Sequence, residues 1–308
     1  MMQFADQIPA NDEQAVSTHT TIGGDNVGQN KTEAGDIHGN FNVVGPGQLT
    51  VNNNTTNIIQ SAPKEEKPRH PYEPEMALVA AGNFLMGSDQ HKPAEAPQHQ
   101  VLLSDYHIAI YPVTNQDYGR FVQDTKYPVS PSLLWHGNIP PKDEWNSPVA
   151  GVSWYDALAY CEWLTKLTGR HYTLPSEAQW EKAARGENGR FYPWGDSWQA
   201  ERCNSNPQAI VPVDKYPAQS PYGCYDMVGN VREWTTTLWD MGSDQLYGYP
   251  WTQDGRDDLQ APQTTGRVFR GGRVRNLVDF RSSLRRGHPP TDNGPKRNRH
   301  GFRVVKNK

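Results

Sequence analysis

Thiol chemistry in this chain would have to come from Cys161, Cys203 and Cys224, since no cysteine follows Cys224. Thiolates are the ligands that select soft metals and carry redox exchange. Ten histidines are scattered, and no two lie at i, i+3 or i+4 on a helix, the spacing that puts two imidazoles on one face. His99, His107 and His171 are therefore expected to be hydrogen-bonded structural residues rather than metal ligands. Ser153 and Ser176 each stand three residues before an Asp or Gln at the start of an apolar run, which marks helix caps rather than nucleophiles. No Gly-x-Ser-x-Gly elbow and no phosphate-cradling glycine loop occurs, and Gly271-Gly272 reads as a close strand approach.

Arginine is the most concentrated reactive type. Residues 267–308 hold thirteen Lys/Arg against two Asp, while the other 266 residues hold seventeen basic and thirty-two acidic groups. A basic end of this kind can attract nucleic acid or another anion. Here the arginines stand singly among apolar and glycine residues and form no run, which favours internal pairing with the acidic body and makes nucleic acid an unlikely partner.

The elements that must position these residues follow from composition and pattern. With 35% hydrophobic residues, 27 Gly and 25 Pro, the chain suits a loop-rich fold, and ten Trp and fourteen Tyr supply bulky packing. Residues 1–62 are rich in Gly, Asn, Thr and Gln. Their alternating stretch 35–59 predicts short strands about a Gly-Pro-Gly turn, too small to stand alone. This segment is expected to be either a flexible arm or a homo-oligomerising β element. Residues 63–75 form a stiff linker rich in proline and charge, and residues 76–308 read as one globular domain. Capping boxes at Thr114–Asp117, Ser153–Asp156 and Ser176–Gln179 predict three helices, the second ending at Gly169. Strands are expected within 76–86, 101–110, 267–270 and 302–305, giving an α+β fold. The first residues lack a signal peptide's basic and apolar regions, no apolar run reaches bilayer length, and three cysteines make no disulfide framework. A cytoplasmic chain with no membrane span is expected.

Seven ordered blocks carry a family resemblance: MALVAAGNFLMGSD (76–89), YPVTNQDYGRFV (111–122), PVAGVSWYDALAYCEWLTKLTGRHYTLPSEAQWEKAARG (148–186), YPWGD (192–196), YGCYDMVGNVREW (222–234), RVFRGG (267–272) and HGFRVV (300–305). In this order they resemble a formylglycine-generating enzyme, or sulfatase-modifying factor, domain, which implies a C-type-lectin-like fold. The family's oxidases use two cysteines near the C-terminus to bind copper(I) and convert a substrate cysteine to formylglycine. Matching the family's paired arginines to Arg281 and Arg285 puts Leu277 and Ser282 about where those cysteines fall, so no copper site is expected. A related branch builds sulfoxides on a histidine-held iron and carries an additional helical domain with its own motif, which this sequence does not show. The segment matching 226–234 lies beside a calcium ion in that family. The resemblance thus implies a structural Ca²⁺ held by the Asn230 amide oxygen, the Glu233 carboxylate and the carbonyls of Val228 or Gly229, with simple backbone satisfaction by Asn230 and Glu233 as the alternative.

The same fold displays a diversified C-terminal segment in retroelement variable proteins, between blocks resembling RGG and GFR. By that analogy the candidate ligand surface is 273–300, with Arg273, Arg275, Asn276, Val278, Asp279, Ser282, Ser283, His288, Asp292, Asn293 and Asn298 as its contact residues. The reading that results is a non-catalytic module for a protein or small-molecule ligand. Its alternatives are an oxidase or oxygenase of altered metal chemistry, or a sensor component of a bacterial signalling or defence system.

Overall fold

A computed structural model describes residues 69–133, 135–206, 208–242, 247–272, 277–291 and 300–307, together with the backbone of 41–43 and 49–51. The chain divides into two units, Met1–Glu66 and Lys67–Lys308. In the first, β1 (Phe41–Val43) pairs antiparallel with β2 (Leu49–Val51), Phe41 opposite Val51, across the Gly-Pro-Gly region.

The second unit begins with β3 (Met76–Val79), β4 (Gly82–Met86), β5 (His99–Leu103) and β6 (Tyr106–Ala109). Helices α1 (Asn115–Thr125) and α2 (Trp154–Thr168) follow, then β7 (Tyr172–Thr173) and α3 (Glu177–Arg185). The chain continues through β8 (Gly229–Trp239), β9 (Gly266–Gly272), β10 (Arg285–His288), β11 (His300–Gly301) and β12 (Val305–Asn307). One four-stranded sheet has the order β3-β6-β12-β7, all antiparallel. A second runs β10-β9-β8-β11, with β11 parallel to β8. β4 and β5 form a separate antiparallel pair. This is the α+β arrangement expected of the sequence.

All three capping boxes form. The side chains of Thr114, Ser153 and Ser176 accept from the backbone N–H three residues on, and Asp117, Asp156 and Gln179 accept in return. Helix α2 stops at Gly169, whose φ of 67° is left-handed and free of steric cost without a Cβ. The expected single strand over 76–86 is two, because β3 pairs with β6 while β4 turns away to pair with β5. The strand expected at 302–305 begins only at Val305. Phe302 and Val304 are buried, and their carbonyls accept from Val113 and Ala109 outside any ladder.

Aromatic residues fill the core. Tyr118, Phe121, Tyr160, Trp163 and Phe302 interlock between α1, α2 and the C-terminal strands. The largest buried rings keep their polar ends bonded: Trp154 donates to the Thr235 carbonyl (2.8 Å), and Trp234 to that of Val152 (3.0 Å). A second cluster joins β3–β6 to α3 and Trp251. A third, smaller one gathers Tyr192, Cys203, Val228, Phe280 and Leu284. Among the described residues no helix is long and apolar enough to cross a membrane.

Candidate binding surface

The chain from β9 onward is held down by charge. Four carboxylates, Glu95, Glu177, Glu181 and Glu233, are fully buried. A buried anion is tolerable only when paired and hydrogen-bonded, and each of these meets an arginine. Arg270 donates to Glu181 and to the carbonyls of Ser282 (2.9 Å) and Ser283 (3.3 Å). Arg281 binds both oxygens of Glu95, with Nη1 donating to the Val278 carbonyl at 2.8 Å. Arg285 grips Glu177 in bidentate fashion at 2.6 and 2.9 Å, and lies 4.3 Å from the Tyr249 ring centre. Arg303 does the same to Glu233 at 2.6 and 2.8 Å and donates to the carbonyls of Ala109, Ile110 and Tyr225. Burial alone would raise the Glu181 carboxyl, but Arg270 and Arg185 beside it bring it below the ordinary value. The internal pairing expected from the arginine spacing is therefore what the structure shows for Arg270, Arg281, Arg285 and Arg303.

Glycine lets the strands approach. Gly271 and Gly272 have φ of 64° and 83°, and a Cβ on either would strike the Met227 carbonyl or the Arg232 side chain.

On this bed the turn Leu277–Phe280 presents two faces. Phe280 packs inward, 5.2 Å from the Trp198 ring. Leu277 and Val278 point outward and are 52% and 51% exposed. Asp279 lies between Arg281 (3.1 Å), Arg286 (3.7 Å) and Lys92 (3.8 Å). His288 is half-buried, its ring 5.3 Å from Phe269 and 5.1 Å from His300.

Of the contact residues read from the sequence, Val278, Asp279 and His288 are thus at least partly accessible. Ser282 and Ser283 are not: they are 0% and 2% exposed. The Ser283 hydroxyl donates to Glu95 at 2.9 Å, and Ser282 donates its N–H to the Phe191 carbonyl at 2.7 Å. Both belong to the support because the arginines that flank them pull their backbone inward. Arg273, Arg275, Asn276, Asp292, Asn293 and Asn298 lie outside the described residues. Sequence reasoning missed Glu95, Glu177 and Glu181 as anchors. The i,i+4,i+8 spacing of Glu177, Glu181 and Arg185 on α3 was the available signal, since it puts one acid–base row on a single helix face.

The residues implied for calcium do not form a cation cage. Both Glu233 oxygens accept from Arg303, and Trp180 Nε1 donates to Oε2 at 2.8 Å. The Asn230 amide oxygen accepts from Val211 N–H (3.1 Å) and Asn204 Nδ2 (3.3 Å), and the Val228 carbonyl accepts from Gln219 (3.0 Å). Hard-cation sites need free oxygens, and here protein donors hold them. Among the described residues no group of three His, Cys, Asp or Glu side chains comes together as a metal set. All three cysteines are buried. Burial raises each thiol, that of Cys203 to about 12.

Comparison with known proteins matches this architecture. Residues 60–308 fit the sulfatase-modifying factor enzyme 1-like domain. An inactive Cα-formylglycine-generating enzyme 2 of Mus musculus is 32% identical over 282 residues, covering 72% of this chain and 90% of that protein. A serine/threonine-protein kinase pkn1 of Chlamydia pneumoniae is 33% identical over 265 residues, and the chain spans 40% of that kinase's length. Among solved structures, PvdO of Pseudomonas aeruginosa superposes with a TM-score of 0.60 at 25% identity, over 78% of this chain and 96% of that one. Treponema denticola variable protein 1 shares the fold with a TM-score of 0.58 at 23% identity, over 76% and 95% of the two chains. The seven blocks, the arginine-anchored sheet and these matches agree: the chain belongs to the sulfatase-modifying factor enzyme 1-like domain family.

Proposed function

We propose that this chain is a non-catalytic binding module, with the outer face of 273–300 as its ligand-contacting surface. The observation that carries the reading is the way this segment is built. Charged anchors fix its described part, 277–291, from below, while Leu277 and Val278 stand exposed above. Thiol oxidation needs an accessible thiolate, and Cys161, Cys203 and Cys224 are all buried with raised thiols. The mouse relative, which is named as inactive, supports a use of the scaffold without chemistry. The ligand is a protein or a small molecule, and residues 1–62 are proposed to assemble copies of the chain.

The test is to load the purified full-length protein separately with copper(I) and iron(II) and supply a cysteine-containing peptide. Oxygen uptake and hydrazide-reactive aldehyde are then followed. No protein-dependent turnover is expected with either metal. Aldehyde formed in proportion to protein would overturn the reading in favour of an oxidase of altered chemistry.

A further inference from the structure

His99 opens β5, and both of its ring nitrogens are engaged. Nδ1 lies 2.7 Å from the Pro97 carbonyl oxygen, and Nε2 lies 2.7 Å from the backbone nitrogen of Trp251, 152 residues away in the chain. A carbonyl oxygen accepts and an amide N–H donates, so the two partners fix the ring between them. Nδ1 carries the proton and Nε2 offers its lone pair, which describes a neutral imidazole. A second proton would have to sit on Nε2, where the Trp251 N–H already points.

The segment on the far side of this bond is lightly held. Among the described residues, the Trp251 N–H is the one backbone group of 249–253 that is hydrogen-bonded. Its flanks are fixed: Arg256 donates from Nη1 to the Gly248 carbonyl at 3.1 Å, and the Arg256 carbonyl accepts from the Leu238 N–H of β8 at 2.6 Å. Tyr249 meets the His99 ring edge-on at 4.9 Å, while its hydroxyl reaches Glu177 and Glu181 only at 3.4 and 3.5 Å. Trp251, Gln253 and Gly255 stand in the wall of a cavity of about 770 Å³.

The carboxylates around the ring are committed elsewhere. Asp89 accepts from the Gln98 N–H at 2.9 Å. Behind Tyr249, Glu177 is bound by Arg285, and Glu181 by Arg185 and Arg270. Asp254, on the segment itself, is held by Arg256 at 2.8 Å. Burial keeps the Tyr249 phenol well above its ordinary value, so it stays neutral.

We propose that His99 is an acid-sensitive latch on the segment 249–255. With a neutral ring the segment is pinned to β5. As pH falls through the range in which imidazoles gain a proton, the Trp251 amide loses its acceptor, the segment comes away and this wall of the cavity opens. The hold is thus complete on the alkaline side of that range and lost on the acid side.

Amide hydrogen exchange of the full-length protein, labelled with ¹⁵N-tryptophan, reads the latch directly. Between about pH 7.5 and about pH 5, after correction for intrinsic exchange, protection at Trp251 should fall about tenfold or more, the loss of one hydrogen bond. The Trp154 and Trp180 amides, bonded to the Pro290 and Ser176 carbonyls, should keep theirs. His99→Gln has no ring to protonate, so its Trp251 protection should be equal at the two pH values, whatever its level. His99→Ala should show at both the low protection that the wild type reaches only in acid. The proposal is overturned if wild-type Trp251 keeps its protection at the lower pH, if all three tryptophan amides lose protection together, or if His99→Gln loses as much as the wild type. Should His99→Ala fail to fold, the wild type and His99→Gln decide the matter.

Discussion

Replacing Glu233 by Gln removes one charge from a pair in which both partners are fully buried. Arg303 would keep its carbonyl acceptors at Ala109, Ile110 and Tyr225, but its charge would have no counter-ion, and the new amide would turn an N–H toward a guanidinium donor. Breaking a buried pair at one side costs about 3–5 kcal/mol, a large fraction of the roughly 5–15 kcal/mol that holds a domain folded. Glu233→Leu with Arg303→Met removes both charges. It forfeits the acceptor of Trp180 and the Arg303 N–H bonds to three carbonyls, each worth about 1 kcal/mol net, but leaves no uncompensated ion. The double variant should therefore be far more stable than the sum of its single changes, with a coupling of about 2 kcal/mol or more. Urea unfolding followed by tryptophan fluorescence reads the wild type, Glu233→Gln, the single changes Glu233→Leu and Arg303→Met, and the double variant, and the midpoint should move without a change in slope. The same series separates an ion pair from a cation site. If Glu233 ligated Ca²⁺, the wild type would gain about 2.7 kcal/mol at a hundredfold excess over Kd, and Glu233→Gln would lose that gain. The structure instead requires equal responses to Ca²⁺ in the two proteins. A loss under about 1 kcal/mol for Glu233→Gln, or a calcium gain confined to the wild type, refutes the reasoning.

A thiol reagent should label none of the three cysteines in the native protein and all three after unfolding, because each is buried with a raised thiol. Burial pushes the Asp226 carboxyl up to about 7, with Asn230 opposing by hydrogen bond, so the folded state keeps a proton that the unfolded state releases above about 3.8. Stability from this group is complete below the unfolded value and falls as pH rises to about 7, by on the order of 4 kcal/mol in all. Asp226→Asn, at a φ of 51° that Asn accepts, should flatten the pH dependence of the unfolding midpoint in that window; an unchanged slope counts against it. Leu277→Asp and Val278→Asp should each alter stability by less than about 0.5 kcal/mol, since both are half exposed. Glu95→Gln should cost several times that and raise amide exchange across 277–283, because Arg281 and Ser283 both close on that carboxylate. Equal costs at Leu277 and Glu95 would contradict the division into support and surface.

Helices were the most legible part of the sequence because a capping box is local. Ser153 and Asp156 need only three residues of chain to specify a helix start, and Gly169 marks its end without reference to anything distant. Strand β8 was missed for the opposite reason. Its eleven residues are almost all buried on both faces, so no alternation of apolar and polar types survives. The arginine spacing announced pairing but not partners. Glu95 lies 186 residues from Arg281, and no local pattern can join them. For the oxygens of Asn230 and Glu233, residue types alone cannot tell which are already taken by protein donors. Glu233 has the right chemistry, and Arg303, seventy residues later, occupies it.

The same fact explains why Ser282 and Ser283 are buried while Val278 stands exposed. Small polar residues flanked by arginines look like a recognition surface, yet a guanidinium that must reach a buried carboxylate carries its neighbours inward with it. Arg281 and Arg285 bracket the two serines, and both arginines end on fully buried glutamates. Leu277 and Val278 precede the first anchor, so no buried charge constrains where their side chains point. Desolvation thus sorts this segment into two populations. Residues between anchors are held by interactions whose loss leaves an unpaired ion, and substitution there disturbs the fold. Leu277 and Val278, outside the anchors and half exposed, carry little of the stability, so a change at either leaves the buried ion pairs untouched.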